Sequence, residues 1–393
     1  MVFANNDVPG CFTAGAIVSY IKQFAVAPGD KLVVCTNNDS AYEAAMAWNA
    51  LGQNNNEINN ETTNASAATV PSLSTGKQVI AIIDSRSKVS GDAYEQAIEA
   101  GLTVMTGHVV IEAHGKKRVS GVSVCAVNEN ATIATGEPQR VACDTIATSG
   151  GYSPVVHLAS HTGNRPIWDE SALGFVPGNT EQAQHVCGSV TGRHALSECL
   201  SSGIAAGQAA AKAYVAANTT NNAAVDQGVA VPATHEPTVM PTEALYLVPH
   251  KLTPTRSPKQ FVDFQNDVTA AAIQTAIREG FQNIEHVKRY TALGFGTDQG
   301  KTGNINGMAI VAKTLGQRIE DTGTTTFRPN YAPVSFGAVA GAHVGPLFDP
   351  KRFTAMHSFH VDHGAVFEDV GQWKRPRYYP IGNETMDLSL IHI

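Results

Sequence analysis

A group of cations and glycines between residues 288 and 301 has the composition of an anion-binding loop. Lysine and arginine supply positive charge, and glycines leave backbone N–H groups open to a phosphate. The residues concerned are Lys288, Arg289, Gly294, Gly296, Gly300 and Lys301. The alternative is that the cations are solvated and the glycines only form turns. The sequence favours neither interpretation, so this loop is a candidate phosphate site.

Three histidines, His357, His360 and His363, follow one another at intervals of three residues. A helical pair at this spacing could bind zinc, but no thiolate or carboxylate pattern completes a set of ligands. We interpret these histidines as structural. No Ser–His–Asp or Cys–His arrangement can be assigned from the scattered remaining residues. We therefore predict neither a catalytic residue nor a metal ligand.

The composition is that of a folded protein whose partners are small molecules and other proteins. Of the 393 residues 43% are hydrophobic and 16% are charged, and the net charge of -7 does not suit a nucleic-acid-binding protein. The six cysteines contain no C-x-x-C pair and lie mostly in apolar segments, which predicts buried free thiols in a reducing compartment. Without a signal-peptide pattern or an apolar run of bilayer length, we expect a cytoplasmic protein.

Strands and helices alternate over about the first hundred residues, which predicts an α/β fold with a parallel sheet. The predicted strands are residues 31–35, 79–83 and 102–105, and the predicted helices are residues 12–24, 41–51 and 92–100. Further along we expect a hairpin at residues 108–127, a strand near residues 141–147 and an alanine-rich helix at residues 195–217. Gly52 is predicted to end the second helix. The residues after it, 53–76, are rich in Asn, Thr and Ser and predict a disordered surface insertion.

Residues 31–84 have the layout of a dinucleotide-binding βαβ unit, inside an inner unit that we place at residues 28–112. Asp84 ends the second strand, where an acid would hydrogen-bond a ribose hydroxyl. The turn after the first strand, residues 36–40, contains no glycine, and its Asp39 would repel a pyrophosphate. A Rossmann-like scaffold with no nucleotide in this half is therefore favoured over an occupied site.

Two later glycine-containing segments resemble the two-dinucleotide-binding class of flavoproteins. Gly150 and Gly151 match its G-G turn, and Gly188-Ser189 before the alanine-rich helix matches its A-G-D-x-x-G segment. In that class the Asp contacts the ribityl-phosphate region of FAD. Because Ser189 takes the place of that Asp, the resemblance implies that NAD fits this half better than FAD does.

Residues 259–316 resemble the small ferredoxin-like domain that holds a 2Fe–2S cluster in related amine and imino-acid dehydrogenases. Gln299 completes the G-x-G-x-x-Q-G loop of that domain, from Gly294 to Gly300. At the four cysteine positions this chain has other residues, which are Asp263, Gln265, Asp298 and Gly303. None is a thiolate, so an iron–sulfur cluster is not expected.

The cluster-free variant of this domain resembles the alpha subunits of heterotetrameric sarcosine oxidases. Other segments carry the same resemblance, namely residues 2–10, 36–42, 262–267, 324–329 and 373–379. The resemblance covers nearly the whole chain. It implies a partial FAD/NAD(P)-binding domain at residues 1–217, a linker at 218–258, the small helical domain at 259–316, and a connector with the start of an aminomethyltransferase-like fold at 317–393.

The resemblance implies an activity and a set of cofactors and partners. The family's complex oxidises sarcosine to glycine, forms peroxide and passes a one-carbon unit to tetrahydrofolate. The alpha subunit is expected to contribute an NAD site and one face of an FMN site, and to bind beta, gamma and delta subunits. The resemblance also implies that this chain is part of a longer subunit and is inactive alone. The alternatives are a subunit of a related amine dehydrogenase and a non-catalytic nucleotide-binding scaffold.

Overall fold

The structure, a computed structural model, describes residues 1–61, 76–179, 182–218, 229–342, 345 and 349–383, without the side chains of residues 54–61 and 218. It contains two compact units, Met1–Tyr331 and Ala332–Ile393. Of the residues predicted as a disordered insertion, 62–75 lie outside the described part of the chain.

The first part of the larger unit alternates strands with helices, as the sequence predicts. The elements are β1 (Cys11–Thr13), α1 (Ala14–Phe24), β2 (Lys31–Thr36), α2 (Tyr42–Glu61), β3 (Gln78–Asp84), α3 (Asp92–Glu99) and β4 (Val104–Thr106). An antiparallel sheet of β5 (His108–Gly115), β6 (Val119–Ala126) and β7 (Gln139–Val141) follows, and then β8 (Thr145–Ser149). Strand β8 joins the parallel sheet, whose order is β1-β8-β2-β3-β4.

The parallel sheet is covered on both faces, which explains why β2 and β3 are almost wholly apolar. On one face Leu32 and Val34 pack with helices α1 to α3. On the other face Val33 and Cys35 pack against the antiparallel sheet. The two covering layers leave the carboxyl ends of the strands as the edge at which ligands of α/β sheets bind.

Helix α2 is longer than the sequence indicates, and the prediction that Gly52 ends it is wrong. The helix continues through this glycine to Glu61, so the first part of the predicted disordered insertion is helical. A Cβ at position 52 would lie 2.5 Å from the carbonyl oxygen of Lys77. The glycine therefore serves the close approach of the chain that enters β3.

The cysteines are all free, but only half of them are buried as predicted. Cys35, Cys125 and Cys143 are buried, whereas Cys187 is exposed. Burial raises the pKa of Cys35 to about 11, so this thiol is protonated and inert.

After β8 the chain forms short elements and one long helix. These are α4 (His157–Ser160), β9 (Ile167–Asp169), β10 (Gly174–Val176) and α5 (Leu196–Asn218). Residues 229–258 are described without a helix or named strand, although Val2 and Leu247 form an isolated bridge. The alanine-rich helix is confirmed, and the β9–β10 hairpin was not predicted.

A small helical module completes the larger unit. It comprises β11 (Phe261–Asp263), β12 (Val268–Thr269), α6 (Ala270–Arg278), α7 (Ile284–Thr291), α8 (Asn304–Leu315) and α9 (Ile319–Thr322). Thr269 caps α6 by accepting a hydrogen bond from the backbone N–H of Ala272. Ile273, Val287 and Met308 bring the three longer helices into one core.

The smaller unit contains α10 (Phe336–Ala340), β13 (Arg352–Phe353), α11 (His357–Asp362), β14 (Val366–Val370) and β15 (Trp373–Tyr378). His360 Nδ1 contacts the Tyr379 hydroxyl, and His363 Nδ1 lies 2.7 Å from the carbonyl oxygen of Phe359. Within the described residues no cluster of three potential metal ligands occurs. Among the helices described here, none combines the length and apolarity needed to cross a bilayer.

Candidate functional site

Four of the predicted phosphate-site residues, together with Gln299 of the same loop, line one cavity of about 480 Å³ in the small module. We call it the loop cavity. It lies between the end of α7, the glycine-rich loop and residues 328–330. The predicted residues in its lining are Lys288, Arg289, Gly294, Gly296 and Gln299. The structure therefore brings together residues that the sequence separates by up to eleven positions.

The lining of the loop cavity carries more positive than negative charge. Arg328, which sequence reasoning missed, joins Lys288 and Arg289 as a third cation, and Glu285 is the one carboxylate in the lining. Glu285 pairs with Arg289 at 3.0 Å. Burial lowers the pKa of Lys288, and the nearby charge of Glu285 opposes that shift. An anion in this cavity would thus meet cations that are only partly neutralised.

The glycine-rich loop is held by hydrogen bonds to the side chains of Asp263 and Gln265. Asp263 is buried, and its Oδ2 accepts a hydrogen bond of 2.8 Å from the backbone N–H of Gly294. Its Oδ1 accepts from the backbone N–H groups of Gln265 and Asn266. Gln265 Oε1 in turn accepts from the backbone N–H of Asp298 at 3.2 Å. A buried, hydrogen-bonded carboxylate thus fixes this turn.

Three glycines of the loop have left-handed backbone conformations. Gly294, Gly296 and Gly300 have φ of 71°, 70° and 72°. At Gly300 a Cβ would also lie 2.0 Å from the side chain of Asn304. These positions require glycine on steric grounds alone, so the turn-forming interpretation holds for them whether or not a phosphate binds.

The side chains of Gln299 and Lys301 bind residues 328–331 to the loop, and Lys301 is one of the residues predicted to contact a phosphate. Gln299 Nε2 donates to the carbonyl oxygens of Arg328 and Asn330, at 2.6 and 2.7 Å. Lys301 Nζ donates to the carbonyl oxygen of Tyr331 at 2.6 Å. Lys301 and Gly300 do not line the loop cavity. Gln299 thus holds the backbone of Arg328, and the Lys301 ammonium is bonded to a backbone carbonyl oxygen rather than left free for a phosphate.

A second cavity, of about 540 Å³, lies at the carboxyl ends of β1 and β8. We call it the edge cavity. Gly150, Gly151 and Lys301 line it, together with Tyr152 and Phe264, whose rings are largely exposed. Its lining contains hydroxyl and amide side chains but no carboxylate. Such a lining suits a planar aromatic group or an anion.

Gly188 and Ser189 do not reach either cavity. They lie in a short 3-10 turn before α5, where the backbone N–H of Gly188 donates to Ser202 Oγ at 3.0 Å. The two halves of the predicted NAD site, Gly150-Gly151 and Gly188-Ser189, are therefore not joined by the described residues. A G-G turn and a G-S turn are short local patterns that carry no information about their distance in space.

Asp84 does not face a cavity. Its side chain is fully buried, and it accepts hydrogen bonds from Arg86 Nη2 at 2.7 Å, Arg86 Nε at 3.0 Å and the Tyr42 hydroxyl at 3.0 Å. With both oxygens engaged, the carboxylate has no free oxygen for a ribose. The Asp-Ser-Arg sequence at 84–86 could have indicated this ion pair, since an arginine two residues after an acid can fold back onto its carboxylate.

His157 is a residue near the loop that the sequence did not single out. It is buried, its Nε2 lies 3.4 Å from the carbonyl oxygen of Gln299, and its ring centroid is 4.0 Å from that of Phe327. Burial lowers the pKa of this imidazole. His157 thus packs against the glycine-rich loop as a neutral imidazole.

A third cavity, of about 620 Å³, contains none of the predicted site residues. Trp168, Tyr246 and Ile310 contribute to its lining, with Lys313 and Arg318 among its charged residues.

Comparison with known proteins identifies close relatives. Residues 257–343 match the family described as the sarcosine oxidase A3 domain. The sarcosine oxidase subunit alpha of Corynebacterium sp. (strain P-1) is 39% identical over 99% of this chain, and that of strain U-96 is 41% identical over 98%. The chain spans 37% of the length of each of these two relatives.

The fold has a solved counterpart. The structure is similar to that of L-proline dehydrogenase from P. horikoshii, with a TM-score of 0.55 and 15% identity, over 87% of this chain and 56% of the other. At this identity the likeness concerns the fold alone. It supports the predicted α/β architecture.

The Asp263 carboxylate generates a first prediction. Replacing it in Asp263→Ala leaves three backbone N–H groups without their acceptor, so we expect the free energy of unfolding to fall by about 1–3 kcal/mol. Denaturant unfolding measures this. The control is Glu99→Ala at an exposed position, where the change should stay within about 0.5 kcal/mol. Equal stability of both variants would show that the loop does not depend on Asp263.

His157 generates a prediction about pH. Its folded pKa lies below the ordinary value of 6.5, so the unfolded chain takes up a proton that the folded chain resists. The contribution of His157 to stability is therefore present above about pH 6.5 and is lost as the pH falls through the lowered pKa. We expect the difference in melting temperature between wild type and His157→Gln to shrink on acidification. The same comparison with exposed His286→Gln should show no such trend.

Proposed function

We propose that the chain belongs to the family of sarcosine oxidase alpha subunits and that it forms the matching region of such a subunit in its own complex. The identity of about 40% along nearly the whole chain carries this proposal. The complex would oxidise sarcosine to glycine, form peroxide and pass the one-carbon unit to tetrahydrofolate. It would contain beta, gamma and delta subunits and be located in the cytoplasm.

We propose that the loop cavity binds the phosphate of FMN. Its fit to a phosphate rests on three cations against one carboxylate, and on a glycine-rich wall that leaves the backbone accessible. Lys288, Arg289 and Arg328 would bind the phosphate oxygens. FMN, when bound, would supply the electron transfer, while the protein supplies binding and orientation. Gln299 and Lys301 would act indirectly by fixing the backbone that carries Arg328.

For NAD we propose the half of the nucleotide domain that contains Gly150, Gly151, Gly188 and Ser189. The absence of carboxylates from the lining of the edge cavity favours an anionic or uncharged ligand beside the first pair. The two pairs do not share a cavity among the described residues, so a complete site needs further parts of the subunit. Tetrahydrofolate would bind to an aminomethyltransferase-like fold, whose start we propose to follow a connector within residues 317–393.

We also propose that the small module descends from a cluster-binding ferredoxin-like domain. Asp263, Gln265 and Asp298 form one hydrogen-bonded network around the loop, at positions where the resembled domain has cysteines. The alternative of a related amine dehydrogenase would require those thiolates. The alternative of a non-catalytic scaffold predicts that the assembled complex forms no peroxide from sarcosine, which an oxidase assay can test.

The FMN proposal predicts the effect of removing charge from the loop cavity. Arg328→Gln and Arg289→Gln should each weaken FMN binding about tenfold or more, because a hydrogen bond to a charged group contributes about 1.5–3 kcal/mol. The measurement is the FMN released from the denatured complex, separated from FAD by chromatography. Lys116→Gln removes an exposed cation from the β5–β6 turn and should leave FMN content unchanged. Full FMN content in both arginine variants would refute this assignment.

A further inference from the structure

The guanidinium of Arg86 lies between two carboxylates at the carboxyl ends of β2 and β3. Its Nη2 is 2.7 Å from Asp84 Oδ2, and its Nη1 forms an ion pair of 2.8 Å with Asp39 Oδ1. The Arg86 side chain is 0% exposed. Burial alone lowers its pKa, but pairing with the two carboxylates outweighs burial and raises it. Arg86 is therefore a permanent cation at the carboxyl ends of β2 and β3, where a nucleotide would enter the inner nucleotide-type unit.

Residues 238–243 lie across this same edge, and we call them the covering segment. The backbone N–H of Met240 donates to Asp39 Oδ2 at 2.7 Å. The carbonyl oxygen of Thr238 accepts from the backbone N–H of Asp92 at 3.1 Å. Arg86 Nη1 reaches the carbonyl oxygen of Pro241 at 3.4 Å. The covering segment is thus bonded to the turn after β2, to the end of β3 and to the start of α3.

The contact with the turn after β2 is reciprocal. Asn37 Nδ2 donates to the carbonyl oxygen of Glu243 at 2.6 Å, and the backbone N–H of Glu243 donates to the carbonyl oxygen of Asn37 at 3.2 Å. Asn37 is buried. At the neighbouring Gly91 a Cβ would lie 2.6 Å from the carbonyl oxygen of Thr238, so a side chain there would push the segment away. The surface formed by Asn37 and Gly91 therefore fits a peptide backbone packed closely against it.

In an α/β sheet of this kind, a dinucleotide binds at the carboxyl ends of these two strands. The charged side chains at this edge are engaged here by the protein itself. The turn carboxylate of Asp39 accepts from Met240, and the strand-end carboxylate of Asp84 is bonded to Arg86 and Tyr42. A ligand phosphate could reach Arg86 only by leaving two carboxylates without their counter-charge.

We propose that the inner nucleotide-type unit has become a docking groove for the chain's own covering segment and takes no dinucleotide. A pyridine nucleotide therefore cannot deliver hydride through this half of the subunit. The docked segment leads directly to residues 244–258 and then to the small module. Docking thus fixes where that module, with its loop cavity, begins relative to the parallel sheet. The inference is independent of the proposed NAD and FMN sites, which use other residues.

The experiment is hydrogen exchange on the full-length subunit in its complex, with and without NADPH or NADH at millimolar concentration. The amides of Met240, Glu243 and Asp92 should exchange slowly, since each donates a backbone hydrogen bond in the docked state. Neither nucleotide should change exchange in residues 84–92 or 238–241. Residues 36–41 and 242–243 are left out of this comparison, because Ser40 lines the edge cavity proposed for NAD and Thr242 lies next to Gly151. A saturable change in residues 84–92 or 238–241 on adding either nucleotide would overturn the proposal.

Two variants test the docking itself. Met240→Pro deletes the N–H that Asp39 accepts, and it should speed exchange at Glu243 and Asp92 about fivefold to tenfold, the size expected for one hydrogen bond. Val239→Ala changes the adjacent side chain, which is 66% exposed, and should leave exchange unchanged. Equal exchange in Met240→Pro and Val239→Ala would overturn the docked segment. Met240→Pro keeps the buried ion pairs of Arg86 with Asp39 and Asp84, so it should fold.

Discussion

The guanidinium of Arg86 joins three parts of the chain that are far apart in sequence. It bonds to Asp84 at the end of β3, pairs with Asp39 in the turn after β2, and touches the covering segment at Pro241. A buried cation is tolerated only when its charge is matched and its donors are used. The two carboxylates match its charge, and the geometry that satisfies it also closes the edge of the sheet. The path of the chain from the sheet to the small module depends on this arrangement.

In the small module the buried charge of Asp263 is likewise satisfied by hydrogen bonds within the protein. A buried carboxylate needs several donors, and the loop supplies them as the backbone N–H groups of Gln265, Asn266 and Gly294. The loop is thereby fixed without a metal ligand, and its glycines can take left-handed conformations that hold its turns. The cations around the loop are left to line a cavity, where Arg328 joins Lys288 and Arg289 from a later segment.

The local pattern of apolar residues in the sequence predicted much of the fold. The apolar strands β2 and β3 and the helices α1 and α3 lie close to their predicted positions, since burial on both faces requires continuous apolar residues. The end of α2 was predicted wrongly because a glycine can either end a helix or allow another segment to pack closely against it. The sequence alone does not distinguish the two cases, because the packed segment is known only from the structure. Here the packed group is the carbonyl oxygen of Lys77, twenty-five residues later.

The sequence by itself determined the class of the fold, a resemblance to one family and most of the residues around the glycine-rich loop. These depend on composition, periodicity and short motifs, which are properties of neighbouring residues. Only the tertiary structure decided which charges are free. Asp84 and Lys301 have the right type for a ligand, but one is bonded to Arg86 and Tyr42 and the other to the carbonyl oxygen of Tyr331. The contribution of Arg328 to the loop cavity could not be predicted from the sequence. Arg328 lies forty residues after Lys288, and only folding brings the two into one cavity.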